Sequence, residues 1–293
     1  MKIALHDAEN NGYPNLALMK LSAFHKSIGN DVSMFNPLFK YESVYSSKVF
    51  TYTKGNDYLP RHTQKGGTGY NLSRTLPDAA EHIMPDYSLY KIDYSMGFLT
   101  RGCPRNCSWC IVPDKEGDIK PYADITEFWN GQRKAVLLDN NVLSCDHGLR
   151  QIEKIIDLGI RIDFNQGLDA RIIAGNKDIA DLLTKVRWSR FLRMACDTAN
   201  QIPFIEKALE NLNNHGFKNY KVFVYVLVKN IPDALKRVKF LKKKGVDPFA
   251  QPYRDFNTNK EPEKELKEFA RWVNHKAIFK TTTWENYKGK SNG

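Results

Sequence analysis

Residues 100–113 read TRGCPRNCSWCIVP and place Cys103, Cys107 and Cys110 at C-x3-C-x2-C spacing on one short segment. Three thiolates so close in sequence make a soft ligand set. Soft sulfur donors select cluster-forming iron, and three of them can bind three irons of a cubane and leave the fourth iron open. A structural zinc site usually takes four ligands, often as paired C-x2-C units. Here C-x2-C occurs once, and no further Cys or His lies nearby in sequence to complete a zinc set. A disulfide framework fits less well, because five cysteines in 293 residues are sparse and odd in number.

Working outward, an apolar stretch, IDYSMGFLT (92–100), runs into the first cysteine, and Trp109 directly precedes the third. From there to about residue 255, strand and helix signals alternate. The strands are read at 92–100, AVLLDN (135–140), RIDFNQ (161–166), RFLRMAC (190–196), KVFVYVLV (221–228) and DPFAQPY (247–253). Helices are expected between them at 124–132, 148–159, 176–186, 202–216 and 232–245. Asp124, Asn176 and Asp233 are candidate helix starts, and Gly159, Gly216 and Gly245 candidate stops. Six β/α repeats fit an α/β fold built on a partial (β/α)6 TIM-like barrel, spanning 91–256. In parallel barrels the chemistry sits at the carboxyl ends of the strands, where the cysteine loop falls.

The first 90 residues read as a small Rossmann-like α/β domain, with strands at KIALHD (2–7), DVSMFN (31–36) and KVFTYT (48–53). One amphipathic helix, 15–29, connects the first two, and a turn-rich stretch, 54–71, follows the third. After the barrel, 257–293 gives a polar loop, a helix packed through Phe269, Trp272 and Val273, and a polar tail expected to be poorly ordered at its end.

The cysteine spacing, its flanks and the six repeats together resemble the radical S-adenosylmethionine (radical SAM) superfamily. The N-terminal stretch is similar to a shortened cobalamin-binding-like domain, with Gly66-Gly67 where such domains carry a glycine pair. The D-x-H-x-x-G motif that ligates cobalt is missing: His6 precedes Asp7 in the wrong order. That domain is therefore expected to be degenerate, and cobalamin is not expected.

The resemblance implies a [4Fe–4S] cluster on Cys103, Cys107 and Cys110, with S-adenosylmethionine chelating the open iron. Reductive cleavage of the cofactor would give a 5′-deoxyadenosyl radical that abstracts hydrogen from an unidentified substrate. It further implies cofactor-binding roles for Trp109, Asp139, Asn140, Asn141, Arg171 and Asp197. Trp109 would lie near the adenine or shield the cluster. Asp139, Asn140 and Asn141 would stand where other members carry a glycine-rich motif, the alternative being an Asx-rich turn. Arg171 would meet the cofactor carboxylate, or pair with Asp169 or Asp178 on the surface. Asp197 would approach the ribose or ammonium, or cap a helix. Gln166, Gln251, Tyr253 and Arg254 are weaker candidates at strand ends. Cys145 and Cys196 are read as small buried hydrophobes, hydrogen-atom exchange being the alternative.

Lys and Arg exceed Asp and Glu by 11 charges, which favours anionic partners. Six of the basic residues, Lys236, Arg237, Lys239, Lys242, Lys243 and Lys244, are read as a solvated helix face opposite an apolar stripe. The expected partners are an electron donor such as flavodoxin or ferredoxin, with nucleic acid a candidate and no membrane. No apolar run approaches the ~20 residues of a membrane span. The amino terminus lacks a signal-like apolar region, and reduced thiols fit a cytoplasmic protein. The competing reading is a nucleic-acid-binding protein with a structural metal, or a radical SAM enzyme that modifies nucleic acid.

Overall fold

KIALHD carries three consecutive apolar residues, Ile3, Ala4 and Leu5, and all three are buried. An unbroken apolar run is what a strand covered on both faces requires. The computed structural model describes residues 1–56 and 58–290, with side chains described as far as 287. The end of the polar tail, 291–293, lies outside them. The chain is mixed α/β with parallel sheets and divides into two compact units, Met1–Leu138 and Asp139–Gly293. The sequence boundaries at 90/91 and 256/257 follow the pattern of elements, a different criterion from compactness. Among the described residues no helix is long and apolar enough to cross a membrane.

In the first unit, β1 (Lys2–Asp7) leads to α1 (Leu16–Ser27) and β2 (Asp31–Met34). Asn15 caps α1, its side chain accepting from Leu18 N at 3.3 Å. That helix buries Leu18 and Leu21 against Ile3, Leu5 and Ala80, closing a core to which each leucine contributes about 2 kcal/mol. The order is β2-β1-β3-β4, all parallel, with β3 at Ser43–Ser47 and β4 at Gln64–Gly66.

The third strand is therefore not KVFTYT. Its residues 48–53 form loop and turn, and Val49, Phe50 and Tyr52 are exposed. The Glu9 carboxylate bends this segment by accepting from Val49 N at 3.0 Å, Phe50 N at 3.1 Å and Thr53 Oγ1 at 2.9 Å. The sheet takes the less apolar SVYSS instead, whose Val44, Ser46 and Ser47 are small enough to bury beside β1.

After α2 (Asp78–Glu81), the expected single strand 92–100 is two: β5 (Ser95–Gly97) and β6 (Thr100–Arg101). β6 pairs antiparallel with β7 (Lys120–Pro121), and between them lies α3 (Val112–Glu116). β8 (Lys134–Leu137) pairs parallel with β5. The helix expected at 124–132 is only a 3-10 turn, Ile125–Glu127, closed by a capping box between Asp124 and Glu127.

The second unit follows the expected alternation closely. Its elements are α4 (Asp146–Asp157), β9 (Arg161–Phe164), α5 (Ala170–Gly175), α6 (Lys177–Lys185), β10 (Arg187–Trp188) and β11 (Leu192–Ala195). Then come α7 (Ile202–Asn214), β12 (Val222–Val228), α8 (Ile231–Lys243) and β13 (Asp247–Pro252). β9 pairs with β10, and β11-β12-β13 form a second parallel ladder. Gly159, Gly216 and Gly245 follow the ends of α4, α7 and α8, and Asn176 caps α6. The cap of α8 is Asn230 rather than Asp233, its side chain accepting from Asp233 N at 3.1 Å.

β12 alternates strictly: Val222, Val224, Val226 and Val228 are buried, while Phe223, Tyr225 and Leu227 face the other way and are half-buried. α9 (Lys264–Asn274), α10 (Lys276–Thr281) and α11 (Trp284–Lys290) end the chain. Phe269, Trp272, Phe279 and Trp284 form an aromatic cluster there, with ring centroids 5.0–5.7 Å apart.

Candidate metal centre and cofactor residues

The cysteine loop is an excursion closed at its base by the β6–β7 pair. Gly102 leaves β6 with φ +79°, and a Cβ there would stand 2.2 Å from Asp118 O. Only glycine allows the two arms of the loop this close. Cys103 N donates to Gly117 O at 3.1 Å, and Gly102 N to the Glu116 carboxylate at 3.1 Å. The same carboxylate pairs with the Arg101 guanidinium at 2.9 Å, which lies 3.9 Å over the Phe98 ring. Burial depresses the neighbouring Lys115 ammonium below the ordinary lysine range.

A turn folds the rest of the loop, with Cys110 N donating to Cys107 O at 2.9 Å. Cys103, Cys107 and Trp109 are half-buried and Cys110 is exposed. No disulfide joins the described cysteines. Three sulfur donors on a loop pinned at its base fit an iron–sulfur cluster in donor type and number. Among the described residues, no group of three or more His, Cys, Asp or Glu is drawn together as for a metal ion.

The other candidates belong to the second unit. Asp139 and Asn141 are buried and Asn140 half-buried, in the turn before the 3-10 segment Val142–Ser144. Asn141 Nδ2 donates to Asp169 Oδ2 at 3.3 Å. Asp169 caps α5 and takes the Arg171 guanidinium as a fork, Nε at 2.7 Å and Nη2 at 3.0 Å. Arg171 thus makes the pairing that competes with a cofactor role, and its pairing fixes where the guanidinium sits. Asp178 is not the partner; its backbone N donates to Asn176.

Asp197 follows β11 and its carboxylate accepts from Leu227 N at 3.2 Å. Burial raises its pKa, opposed by that hydrogen bond and by the charges of Arg237 and Arg171. It does not cap a helix; Thr198 does so, through a capping box with Gln201. Asn141, Asp169 and Arg171 are therefore joined by hydrogen bonds, and the Arg171 charge is the weakest of the influences on Asp197. Burial pushes the Cys196 thiol up to about 12, the behaviour of a small hydrophobe, while Cys145 is half-buried before α4.

Two features were not anticipated. Arg237, read as part of a solvated face, is 1% exposed. It donates to Asp233 at 2.8 Å, to Cys196 O at 2.7 Å and to Leu227 O at 3.0 Å, tying the ends of β11 and β12. The signal was its phase: 237 stands on the same stripe as Ala234, Val238 and Leu241, three or four residues apart. The second is a polar cluster on the half-buried sheet face. Arg193 reaches Asp163 at 2.8 Å and Tyr225 OH at 2.8 Å beside Phe223 and Phe249. Asp163 Oδ1 and Arg193 Nε are buried there without a hydrogen-bond partner among the described residues. Its members come from three separate strands, so no sequence spacing announces them.

No protein-family model and no curated protein matches this chain. Among solved structures it is similar to the cobalamin-dependent S-adenosylmethionine radical enzyme OxsB, whose structure has aqua-cobalamin and S-adenosylmethionine bound. The TM-score is 0.54 and the identity 12%, over 95% of this chain. The chain spans 56% of the length of that protein. At this identity the likeness is one of fold. It extends to both halves of the chain.

Proposed function

We propose that the protein is a radical SAM enzyme acting on a substrate still to be identified. The observation that carries this reading is a coincidence of two kinds. A fold similar to that of a radical SAM enzyme covers nearly the whole chain, and a three-cysteine loop follows a parallel strand, β5, within it. In this reading, 91–256 is a partial (β/α)6 TIM-like barrel behind a degenerate Rossmann-like domain.

Cys103, Cys107 and Cys110 would hold a [4Fe–4S] cluster, and S-adenosylmethionine would occupy its open position. When bound and reduced, the pair supplies a 5′-deoxyadenosyl radical for hydrogen abstraction. The chain's own task is to bind, orient and exclude water. Arg171, aimed by its fork to Asp169, would donate to the cofactor carboxylate. Asp139, Asn140 and Asn141 would accept from its ammonium, and Asp197 from the ribose or ammonium. Trp109 would cover the cluster or stack near the adenine. The Asp163–Arg193–Tyr225 face would line the substrate chamber.

A flavodoxin or ferredoxin would supply the electron, and the oxygen-sensitive centre fits a cytoplasmic setting. His6, the histidine of β1, has Nδ1 at 2.9 Å from Ser46 Oγ and Nε2 at 3.1 Å from Asn56 Nδ2. Both ring nitrogens are thus hydrogen-bonded within the fold, and the proposal gives cobalamin no role.

Anaerobic reconstitution with iron and sulfide tests the reading. It should give cluster absorbance lost in the triple variant C103A/C107A/C110A, and dithionite with S-adenosylmethionine should release 5′-deoxyadenosine. Zinc in anaerobically purified protein, or a loaded cluster without that product, would overturn it.

A further inference from the structure

We propose that the loops at the carboxyl edge of β1, β3 and β4 bind single-stranded nucleic acid, with bases stacking on Phe50 and Tyr52 and phosphates held by Lys54, Arg61 and Lys65. The inference stands apart from the cluster reading, since every residue it uses lies in the first unit, away from the cysteine loop in sequence.

The argument begins with topology. In the order β2-β1-β3-β4 the chain leaves β1 on one side to form β2 and returns on the other to form β3. Such a switch point opens a crevice beyond the carboxyl ends of β1 and β3, where open parallel sheets take their ligands. The loops that border it are tied together. Ala8 N donates to Ser47 O at 3.0 Å, Lys48 N to Gly66 O at 3.0 Å and Gly69 N to Lys48 O at 2.8 Å. Gly67, with φ +93°, lets this last crossing approach, because a Cβ there would meet Lys48 O at 2.5 Å. Glu9 fixes the 49–53 turn from below.

What this rigid frame presents is aromatic and basic. Phe50 and Tyr52 stack on one another with centroids 5.1 Å apart and planes 19° apart. They nevertheless remain 43% and 49% exposed, and Tyr58 beyond them 80%. Lys48 and Lys65 both lie over the Tyr70 ring, at 4.8 and 5.6 Å. Residues 48–74 hold five Lys or Arg against one Asp, a net +4 in a chain whose total is +11. None of the five is ion-paired to a described carboxylate, whereas most cations of α8 are already engaged. There Arg237 pairs with Asp233, Lys239 with Glu285, Lys244 with Glu206, and Lys242 binds carbonyls. Three of the six basic residues in 236–244 thus face a carboxylate, and among the described residues none of the five in the loops does.

An exposed aromatic stack on a segment rich in cations without carboxylate partners is the kind of surface that holds single strands. Bases offer π faces at any sequence, and phosphates follow a positive track. A duplex hides its base faces and fits this surface poorly.

Fluorescence anisotropy on the full chain, with and without reconstituted iron, tests this. The probes are fluorescein-labelled oligouridylate and oligothymidylate of about 12 nucleotides and a duplex of equal length. Expected is single-strand binding in roughly the micromolar range, with a log–log salt slope near −2, from three phosphate contacts at about −0.7 each. Phe50→Ala and Tyr52→Ala should each weaken it about tenfold, and Phe50→Leu and Tyr52→Leu, which keep the apolar bulk, should do the same. The pair K54E/K65E should abolish most binding, and K236E/K243E on α8, with an equal charge change, should leave it within about twofold. Circular dichroism and urea midpoints verify that each variant is folded. No single-strand binding, preference for the duplex, or equal losses from the loop and α8 variants would each overturn the proposal.

Discussion

Arg237 Nη2 sits 2.7 Å from the Asp233 carboxylate, one helical turn away, yet Nη2 also donates to Leu227 O and Nη1 to Cys196 O, at the ends of two neighbouring strands. An ion pair between adjacent turns is ordinarily a surface decoration worth a few tenths of a kcal/mol. This one is buried on the arginine side and half-exposed on the aspartate side, so its two halves differ in consequence. Removing the arginine strands two buried carbonyls, Cys196 O and Leu227 O. Arg237→Leu should lower stability by about 3 kcal/mol, and Arg237→Lys should recover only part. Asp233→Asn, whose partner keeps both carbonyls, should cost about 1 kcal/mol. Urea midpoints of the three variants decide this; an Arg237→Leu midpoint equal to wild type would remove the strand-tying role.

Gly102→Ala tests whether the closed base of the cysteine loop matters to what the loop holds. The added methyl meets Asp118 O at 2.2 Å at a residue with φ +79°, so the hairpin base must open. We expect at least about 2 kcal/mol of destabilisation from strain and lost packing. Iron bound per chain after reconstitution should fall with it, while Gly131→Ala, at another positive φ but with no close neighbour, should leave iron content unchanged.

Much of the second unit was legible, because β12 is an alternating run of branched and aromatic residues and the helices carry caps and glycine stops. The missed elements share a cause. β3 buries small residues, Val44, Ser46 and Ser47, and its apolar signal is weaker than that of the exposed KVFTYT beside it. β4 is a polar three-residue edge strand with no periodicity to detect. Arg237 was hidden because its charge outweighed its phase on the stripe. For the candidate site, spacing places three cysteines on one loop but says nothing of the pinned base, which depends on Glu116 and Gly117 beyond the motif. The Asp163–Arg193–Tyr225 cluster exists only once three strands lie side by side.

Asp86 gives an acid-dependent signature in the first unit. Burial alone would raise its pKa, but hydrogen bonds from Lys26, Ser22 and Ser88 outweigh this and lower it to about 2. A folded pKa below the unfolded value means stability present above about pH 4 and lost as pH falls towards 2. Lys26 is half-exposed, so solvent screening reduces the contribution to about 1–2 kcal/mol. Asp86→Asn should be less stable than wild type by that amount at pH 6, with the two converging near pH 2. Parallel urea curves that keep a constant gap across this range would refute the assignment.

Arg171 and Asp169 offer a test of cofactor orientation. Arg171→Lys keeps the charge but loses the planar fork, and should weaken S-adenosylmethionine binding roughly tenfold in equilibrium dialysis with reconstituted protein. Asp169→Asn, which keeps the cap but loses the charge, should do likewise, and Asp169→Ala should in addition cost about 1 kcal/mol through the cap of α5. If Arg171→Lys binds the cofactor as wild type does, the guanidinium serves the fold alone.

Glu9 holds the 49–53 turn through two backbone amides and a hydroxyl, and nothing in β1 itself depends on it. Removing its carboxylate should therefore loosen the turn without unfolding the sheet. In Glu9→Ala, hydrogen exchange at the Val49 and Phe50 amides should accelerate about tenfold or more, while the amides of β1 and β3 keep their protection. Glu9→Gln retains one acceptor oxygen and should fall between the two. Because the turn also sets the Phe50–Tyr52 stack, loss of protection should be matched by weaker oligonucleotide binding. Unchanged exchange at Val49 and Phe50 in Glu9→Ala would mean that the turn is held by its own sequence, and that the carboxylate is incidental to it.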